Sequence, residues 1–424
     1  VIARILKKQR KHFETRIEEL IEPSEHRVEP KCEYFGVCGG CSWQHLDYDQ
    51  QLFWKKQHVE DALVRIGKLE IGKMEETLPA AKQYHYRNKM DFSFGASRWL
   101  TAEEIASADE NINREFALGL HVPARFDKVL DVKKCLIHTE LGEKILTSIR
   151  NAALKFNTGA HNELERQGVL KSLMVRTSDR TGEIMVLLVT DDLKEEADKE
   201  FMNFYDNVFA EEVPEVTEIM HGINNTRNPV FRGEPRVIKG QGYISEQILG
   251  IDYRISPLSF FQTNSSQLDR FIQSILDYAD LSPEDVLWDL YCGTGSITLP
   301  ASKKVNRVFG VEMSESSIAD AKMNAELNSI TNAEFICADL HAKNAPGELA
   351  KLPPPDVIII DPPRGGMHKN LVSHLMEIEA EKFIYVSCNP TTQARDCELM
   401  SEKYEVKKVL PVDMFPHTFH VESV

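Results

Sequence analysis

Residues 286–300 read VLWDLYCGTGSITLP, and the fold is decided there. A short apolar run delivers Asp289, glycines follow at Gly293 and Gly295, and a helix-like stretch begins. Strand, Gly turn, helix is an arrangement in which the backbone approaches a ligand closely and a helix N-terminus offers unpaired N–H groups. A second run, Val305 to Glu312, ends in a carboxylate roughly 20 residues beyond Asp289, where dinucleotide folds meet a ribose diol. Runs at Ala333 to Ala338, Asp356 to Asp361 and Lys382 to Ser387 continue the alternation with helix-like stretches between them. The C-terminal part is therefore expected to be a doubly wound α/β domain. Successive strand ends bring Asp289, Glu312, Asp339 and Asp361 to one edge, the edge at which open α/β sheets bind ligands. A Gly turn alone is equally consistent with a purely structural role; four carboxylates in register argue for a site.

The fifth run, KFIYVS, enters Cys388-Asn389-Pro390, and Pro390 forces a turn. Cys388 is thus the candidate nucleophile: it ends a strand beside a helix start, which is expected to lower its pKa. Cys292 sits in the Gly turn and Cys337 within a strand; for any of them a small buried hydrophobe is the plain alternative. The chain closes with DMFPHTFHVESV, which supplies Glu422 as a candidate base. His417 and His420 lack a third clear ligand and are expected to pack or to hydrogen-bond.

Before residue 258 the texture is more strand-rich and less regular. Lys171 to Thr177 and Glu183 to Thr190 read as a hairpin across SDRTG, and Gln51 to Lys68 has helical periodicity. Three units are expected: 1–28, a mixed region 29–258, and a catalytic domain 259–424. In QYHYRNKMDFSF, Tyr84, His85, Tyr86, Arg87, Lys89 and Phe92 interleave rings with cations, as suits RNA contact, although a half-buried strand alternates in the same way.

Composition limits the rest. The 424 residues hold 50 Lys and Arg against 66 Asp and Glu, a net charge of −16, which at first argues against a polyanionic partner. Residues 191–220 and 101–115 carry −13 of that total, so the remainder is near neutral and leaves room for basic patches. One such patch is Arg4, Lys7, Lys8, Arg10, Lys11 and Arg16 against Glu14 alone, although a charge run is also what a solvated face looks like. No apolar run approaches the roughly 18 residues that cross a bilayer, and the 42% hydrophobic content excludes wholesale disorder. Eight Cys in this length make no disulfide framework, so a reducing, cytoplasmic setting is expected, with a monomer as the working form.

Three of the cysteines are clustered as CxxxxxCGGC: Cys32, Cys38 and Cys41, with Cys135 a distant fourth. Three thiols so close suit a soft metal site, with Gly39-Gly40 providing a bend, and spacing does not choose between zinc and an iron–sulfur cluster.

DLYCGTG resembles the S-adenosylmethionine loop of class I methyltransferases, with NAD as the alternative ligand. Together with SFFQTN at 259–264, DPPRGG at 361–366, SCNP at 387–390 and PHTFHVE near the end, it resembles the RNA uracil-5-methyltransferase family over nearly the whole chain. The resemblance implies a Rossmann-like class I methyltransferase domain behind a strand-rich middle domain. It implies that Cys388 attacks carbon 6 of uracil, activating carbon 5 toward the methyl of S-adenosylmethionine, and that Glu422 then removes the carbon 5 proton. Gln262, Tyr291, Glu312 and Asp361 would contact cofactor or the reacting pocket, with Asp361 alternatively orienting the nucleophile or hydrogen-bonding the base. Asp339 would lie near the adenine, and Phe260 or Phe261 would stack on an extruded base, with core packing the equal alternative for either. The ribosomal RNA branch carries a 4Fe-4S cluster at matching cysteines, so Cys32, Cys38, Cys41 and Cys135 imply that cluster, with zinc the alternative, and 23S ribosomal RNA as partner, with transfer RNA the alternative. Lying far in sequence from the reacting residues, the cluster is expected to be structural. Residues 1–28 are similar to the later strands of a TRAM RNA-binding barrel, which implies weaker RNA binding by this chain than by one with the whole barrel. Two rivals stand beside this reading: an amino-group methyltransferase that uses the DPPR turn, and a cluster-containing RNA-binding protein without catalysis.

Overall fold

The structure is a computed structural model that describes residues 1–10, 12–107, 112–193, 196–226, 230–342 and 345–424. Lys11 of the basic turn, and residues 108–111 and 194–195 of the acidic segments, lie outside the described residues.

Five parallel strands form the C-terminal sheet in the order Ala333–Cys337, Arg307–Glu312, Val286–Leu290, Val357–Ile360, Lys382–Tyr385. Helices cover both faces, so a central strand must be apolar on both sides, as Val357–Ile360 is, with every residue buried. The chain moves outward from Val286–Leu290 in one direction and then the other, which opens a crevice beyond the C-terminal end of that strand. This is the doubly wound domain expected from the sequence, with Val286–Leu290 as expected and the other four strands trimmed by a residue or two.

The middle region builds an eight-stranded, mostly antiparallel sheet that contains the expected hairpin, Leu170–Thr177 with Ile184–Thr190. Helices Leu141–Lys155 and Glu196–Glu211 supply Ile145, Ile149, Phe201, Tyr205 and Phe209 to one side of it. From its other side Met174, Met185, Leu187, Val189 and Met220 join Phe271, Ile275, Leu287, Val308 and Ile359 in a single core. The change of texture near residue 258 is therefore a change of topology across which apolar packing is continuous.

Residues Ile2–Lys8 and Phe13–Glu19 pair as an antiparallel ribbon, exposed throughout, that closes no barrel among the described residues. Helix Tyr48–Asp61 starts where the Asp47 carboxylate accepts from Gln50 N at 2.8 Å, and it runs into a single π turn, Ala62–Ile66. Strand Ile71–Met74 then pairs in parallel with Val406–Val409, tying this early segment to the end of the chain. Among the described residues no helix is long and apolar enough to cross a membrane.

Candidate active site

The Gly turn holds three left-handed residues: Tyr291 at φ 67°, Gly293 at φ 56° and Gly295 at φ 86°. The tyrosine is the costly one, and Val311 O holds it in place by accepting from both Tyr291 N (2.8 Å) and Cys292 N (3.1 Å). A side chain at Gly293 would meet nothing within 4 Å, so the turn faces open space there. Glu312 reaches across from the neighbouring strand, its Oε1 accepting from Ser314 N (2.9 Å) and its Oε2 from Gly293 N (3.3 Å). Asp339 accepts from His341 N at 2.9 Å, and the Tyr291 ring lies 5.9 Å from that imidazole with its hydroxyl buried and unpartnered. Tyr291, Glu312 and Asp339 thus gather at the crevice.

Asp289 does not join them. It is fully buried, and it accepts from Thr298 Oγ1 at 2.5 Å, behind the turn. Burial pushes it up to about 7, and burial together with the charge of Asp289 does the same to Asp361. Gln262 sits in a loop fastened at several points. Its carbonyl accepts from Asn88 Nδ2 at 2.9 Å, buried Arg176 donates to Ser259 O at 2.8 Å, and Asn264 Nδ2 donates to Met414 O at 2.9 Å. Of the two phenylalanines there, Phe261 is in the core against Tyr253, whereas Phe260 is 65% exposed and free to meet a ligand.

Cys388 and Glu422 come together through their neighbours. Ser387 and Ser423 exchange backbone hydrogen bonds, each 2.9 Å, so the two side chains face one site. Cys388 lines a cavity of about 610 Å³ with Arg364, Phe419, His420, His58, Asp61 and Arg65. The Arg364 carbonyl accepts from Asn389 Nδ2 (3.0 Å) and Thr392 Oγ1 (3.3 Å), while its guanidinium charge acts on the Cys388 thiol. Burial raises the Cys388 pKa, the carboxylate of Glu422 adds to the rise, and Arg364 opposes it. The lowered pKa expected from the helix start is thus not what the structure shows, because desolvation and a neighbouring carboxylate outweigh a helix N-terminus. Glu422 is 4% exposed and titrates well above the ordinary carboxylate range, because of burial first and the charge of Asp361 second. Arg364, His58, Arg65 and Phe419 had no separate signal in the sequence; Arg364 was legible only as part of a turn.

The segment that leads to Glu422 is moored from the N-terminal side. Lys55 and Asp413, both fully buried, form an ion pair at 2.5 Å, and Tyr48 OH donates to the same carboxylate at 2.8 Å. His417, left-handed at φ 66°, donates its N–H to Gln51 Oε1 (2.8 Å), and its carbonyl accepts from Ser42 N and Trp43 N, both at 2.9 Å. His417 is also where Tyr84 packs, at 4.4 Å, and Tyr86 OH donates to Pro416 O at 3.1 Å. Tyr86 and Phe92 are buried; only Lys89–Gly95 is a half-buried strand, and residues 84–88 form an irregular lead-in whose Tyr84 and Tyr86 rings support the site. His85, Arg87 and Lys89 keep partial exposure.

Ser42 follows Cys41, so the cysteine cluster, distant in sequence, is one hydrogen-bonded layer away from the C-terminal segment. Burial raises all four thiols, Cys41 to about 12 and Cys135 to about 11, and neighbouring thiolate charge adds to the rise on Cys38, Cys41 and Cys135. Gly40 N donates to Cys38 Sγ at 3.3 Å. Gly39 serves by its lack of a side chain, since a Cβ would stand 2.8 Å from Pro123 Cγ. As the side chains lie, no three or more His, Cys, Asp or Glu among the described residues are arranged to hold a metal ion.

Residues 233–424 match the family model described as tRNA (uracil-5-)-methyltransferase. An uncharacterized RNA methyltransferase of Bacteroides thetaiotaomicron is 39% identical over 99% of this chain and 92% of its own length. An uncharacterized RNA methyltransferase of Chlorobaculum tepidum is 38% identical over 100% and 88%. Among solved structures, the Pyrococcus abyssi tRNA (uracil-54, C5)-methyltransferase in complex with S-adenosyl-L-homocysteine superposes with a TM-score of 0.75 at 26% identity, covering 100% of this chain and 91% of that one. With its crevice, its cysteine and its terminal glutamate so arranged, this chain belongs to the RNA uracil-5-methyltransferase family.

Proposed function

We propose that the protein transfers a methyl group from S-adenosylmethionine to carbon 5 of a uridine in 23S ribosomal RNA, with Cys388 as nucleophile and Glu422 as base. The observation that carries this reading is the pairing of Ser387 with Ser423, which sets the Cys388 thiol of the cavity beside the buried carboxylate of Glu422. The crevice suits the methyl donor. Tyr291, Glu312 and Asp339 line its edge, the unpartnered Tyr291 hydroxyl leaves a hydrogen bond for a ligand to complete, and Gln262 and Asp361 are assigned to the same ligand or to the reacting pocket. The donor, when bound, supplies an electrophilic methyl group.

Carbon 5 of uracil is a weak nucleophile, and covalent attack divides one hard step into easier ones. The Cys388 thiol first gives its proton to solvent; the thiolate then adds to carbon 6, and the electron pair of the 5,6 double bond moves toward the carbon 4 oxygen. The positive charge of Arg364 favours the thiolate for that step. Carbon 5 takes the methyl and holds two substituents beyond the ring. Glu422, ionised, removes the proton from carbon 5, the double bond reforms, and the sulfur leaves as thiolate. A carboxyl with a raised pKa is a stronger base than an ordinary one, which suits a carbon acid.

The four thiols fit an iron–sulfur cluster by donor type, because soft thiolates need a cationic partner when buried together. Cys32, Cys38, Cys41 and Cys135 would hold such a cluster, and the neighbouring Ser42 and Trp43, whose N–H groups donate to His417 O, would carry its rigidity toward the C-terminal segment. The exposed ribbon at residues 2–19 is taken as an RNA-contacting end unit before a middle domain to about 258 and a methyltransferase domain beyond it.

The test is direct. Anaerobically purified protein is incubated with methyl-labelled S-adenosylmethionine and unmodified 23S rRNA or tRNA transcripts, and the nucleosides are resolved. 5-Methyluridine in 23S rRNA supports the reading; methylated tRNA alone overturns the substrate, and an N-methylated base overturns the chemistry.

A further inference from the structure

Helix Tyr48–Asp61 and the π turn after it bury Gln51, Lys55, Val59, Ala62 and Leu63. Their other side leaves Phe53 at 50%, Trp54 at 43%, Val64 at 46% and Ile66 at 49% exposure. Large rings on a solvated helix face contribute little to folding, so their use lies outside the core. They are ordered relative to one another: Phe53 and Trp54 meet edge to face at 5.3 Å, and the Trp54 ring lies 6.4 Å from His58, which also packs 5.6 Å from Trp43. The row ends at the Cys388 cavity, because His58, Asp61, Arg65 and Ile66 form one wall of it, together with Arg364 and Phe419, itself 53% exposed.

We propose that this face, Phe53 through Arg65, is a stacking platform for the single-stranded RNA that flanks the target uridine. The proposal rests on the RNA methylation reading and adds where the strand lies. A cavity of about 610 Å³ accepts one extruded nucleotide, so the nucleotides on either side must cross its rim. Flat rings at that rim serve any base, since every base has a π face. Arg65 and Arg364 offer charge to the phosphates between them, although Arg65 Nε also meets Asp61 Oδ1 at 3.2 Å. A protein or membrane seated on this face would close the cavity to its substrate, so the occupant is the nucleic acid itself.

Trp54→Ala and Phe53→Ala remove exposed rings and leave the buried side of the helix intact. Each is expected to raise the KM for the 23S rRNA transcript roughly tenfold or more, with the KM for S-adenosylmethionine and the turnover at saturating RNA unchanged. Trp54→Phe, which keeps a flat ring, is expected to restore most of the loss. An unchanged RNA KM in both alanine variants overturns the platform, as does a Trp54→Phe variant as weak as Trp54→Ala. An unsubstituted protein that methylates no RNA overturns the underlying reading instead.

Discussion

Ser387 and Ser423 donate to each other's carbonyls at 2.9 Å in both directions. This bridge joins the end of the fifth parallel strand to the last residues of the chain, and it brings Cys388 and Glu422 to one site. The chemistry of both residues can be tested separately.

If Cys388 forms the covalent bond to carbon 6, Cys388→Ala lowers methyl transfer roughly a thousandfold or more while binding of S-adenosylmethionine, measured by calorimetry, is kept. RNA carrying 5-fluorouridine at the target is expected to trap a denaturant-stable adduct with the unsubstituted protein, since fluorine does not leave as a proton. An active alanine variant would remove Cys388 from the mechanism.

Glu422→Gln keeps the shape of the side chain and loses the base. Methyl transfer proceeds and elimination stalls, so methylated RNA accumulates attached to protein and turnover falls by about 10²–10⁴. Because burial holds Glu422 well above 4.5, the acidic limb of the turnover profile is expected well above that pH and rising as the carboxyl ionises. A profile flat down to pH 4.5, or free release of product by the variant, contradicts the assignment.

Lys55 and Asp413 pair with no solvent exposure. Lys55→Met leaves a buried carboxylate without its partner, for an expected loss of about 3–5 kcal/mol in chemical denaturation. Converting Asp413 to Asn in the same chain should recover part of it. A neutral single variant would mean that water reaches this pair.

Asp289 is pushed from 3.8 up to about 7 by burial, so the folded chain holds its proton more tightly than the unfolded chain does. That contribution is fully present below about pH 3.8 and is lost as pH rises through about 7. The stability of Asp289→Asn relative to the parent should therefore grow by on the order of 2–4 kcal/mol between pH 4 and pH 8. Parallel stability curves for the two proteins would place the charge elsewhere.

Metal content decides the cysteine cluster. Protein purified without oxygen is expected to carry iron and acid-labile sulfide, and Cys41→Ser to lose both together with thermal stability, since Ser42 and Trp43 hold His417. Protein that is stable, active and free of iron has no such cluster; zinc in its place retains a metal but changes its kind.

Much of this was legible along the chain because the signals are local. Apolar runs of strand length, glycines at 293 and 295, and Pro390 each act over a few residues, so the five parallel strands and the Gly turn could be read directly. Cys388 stood out for the same reason, because it ends a strand, whereas Glu422 stood out only through the combination of motifs that carries the family resemblance.

Direction and depth were another matter. Asp289 ends its strand as Asp361 does, yet it turns inward to Thr298, and Tyr86 and Phe92 look like RNA contacts until the sheet buries them. The face a side chain takes depends on what packs against it, and those partners lie far away: Lys55 and Asp413 are separated by 358 positions, and the cysteines support a loop near the opposite end of the chain. The sequence by itself determined the alternation of strands and helices and the glycine turn, and it offered Cys388 and Glu422 as candidates. Only the tertiary structure decided how those two residues meet, which carboxylates face the crevice and what holds the base in place, because each depends on contacts between segments that no local pattern records.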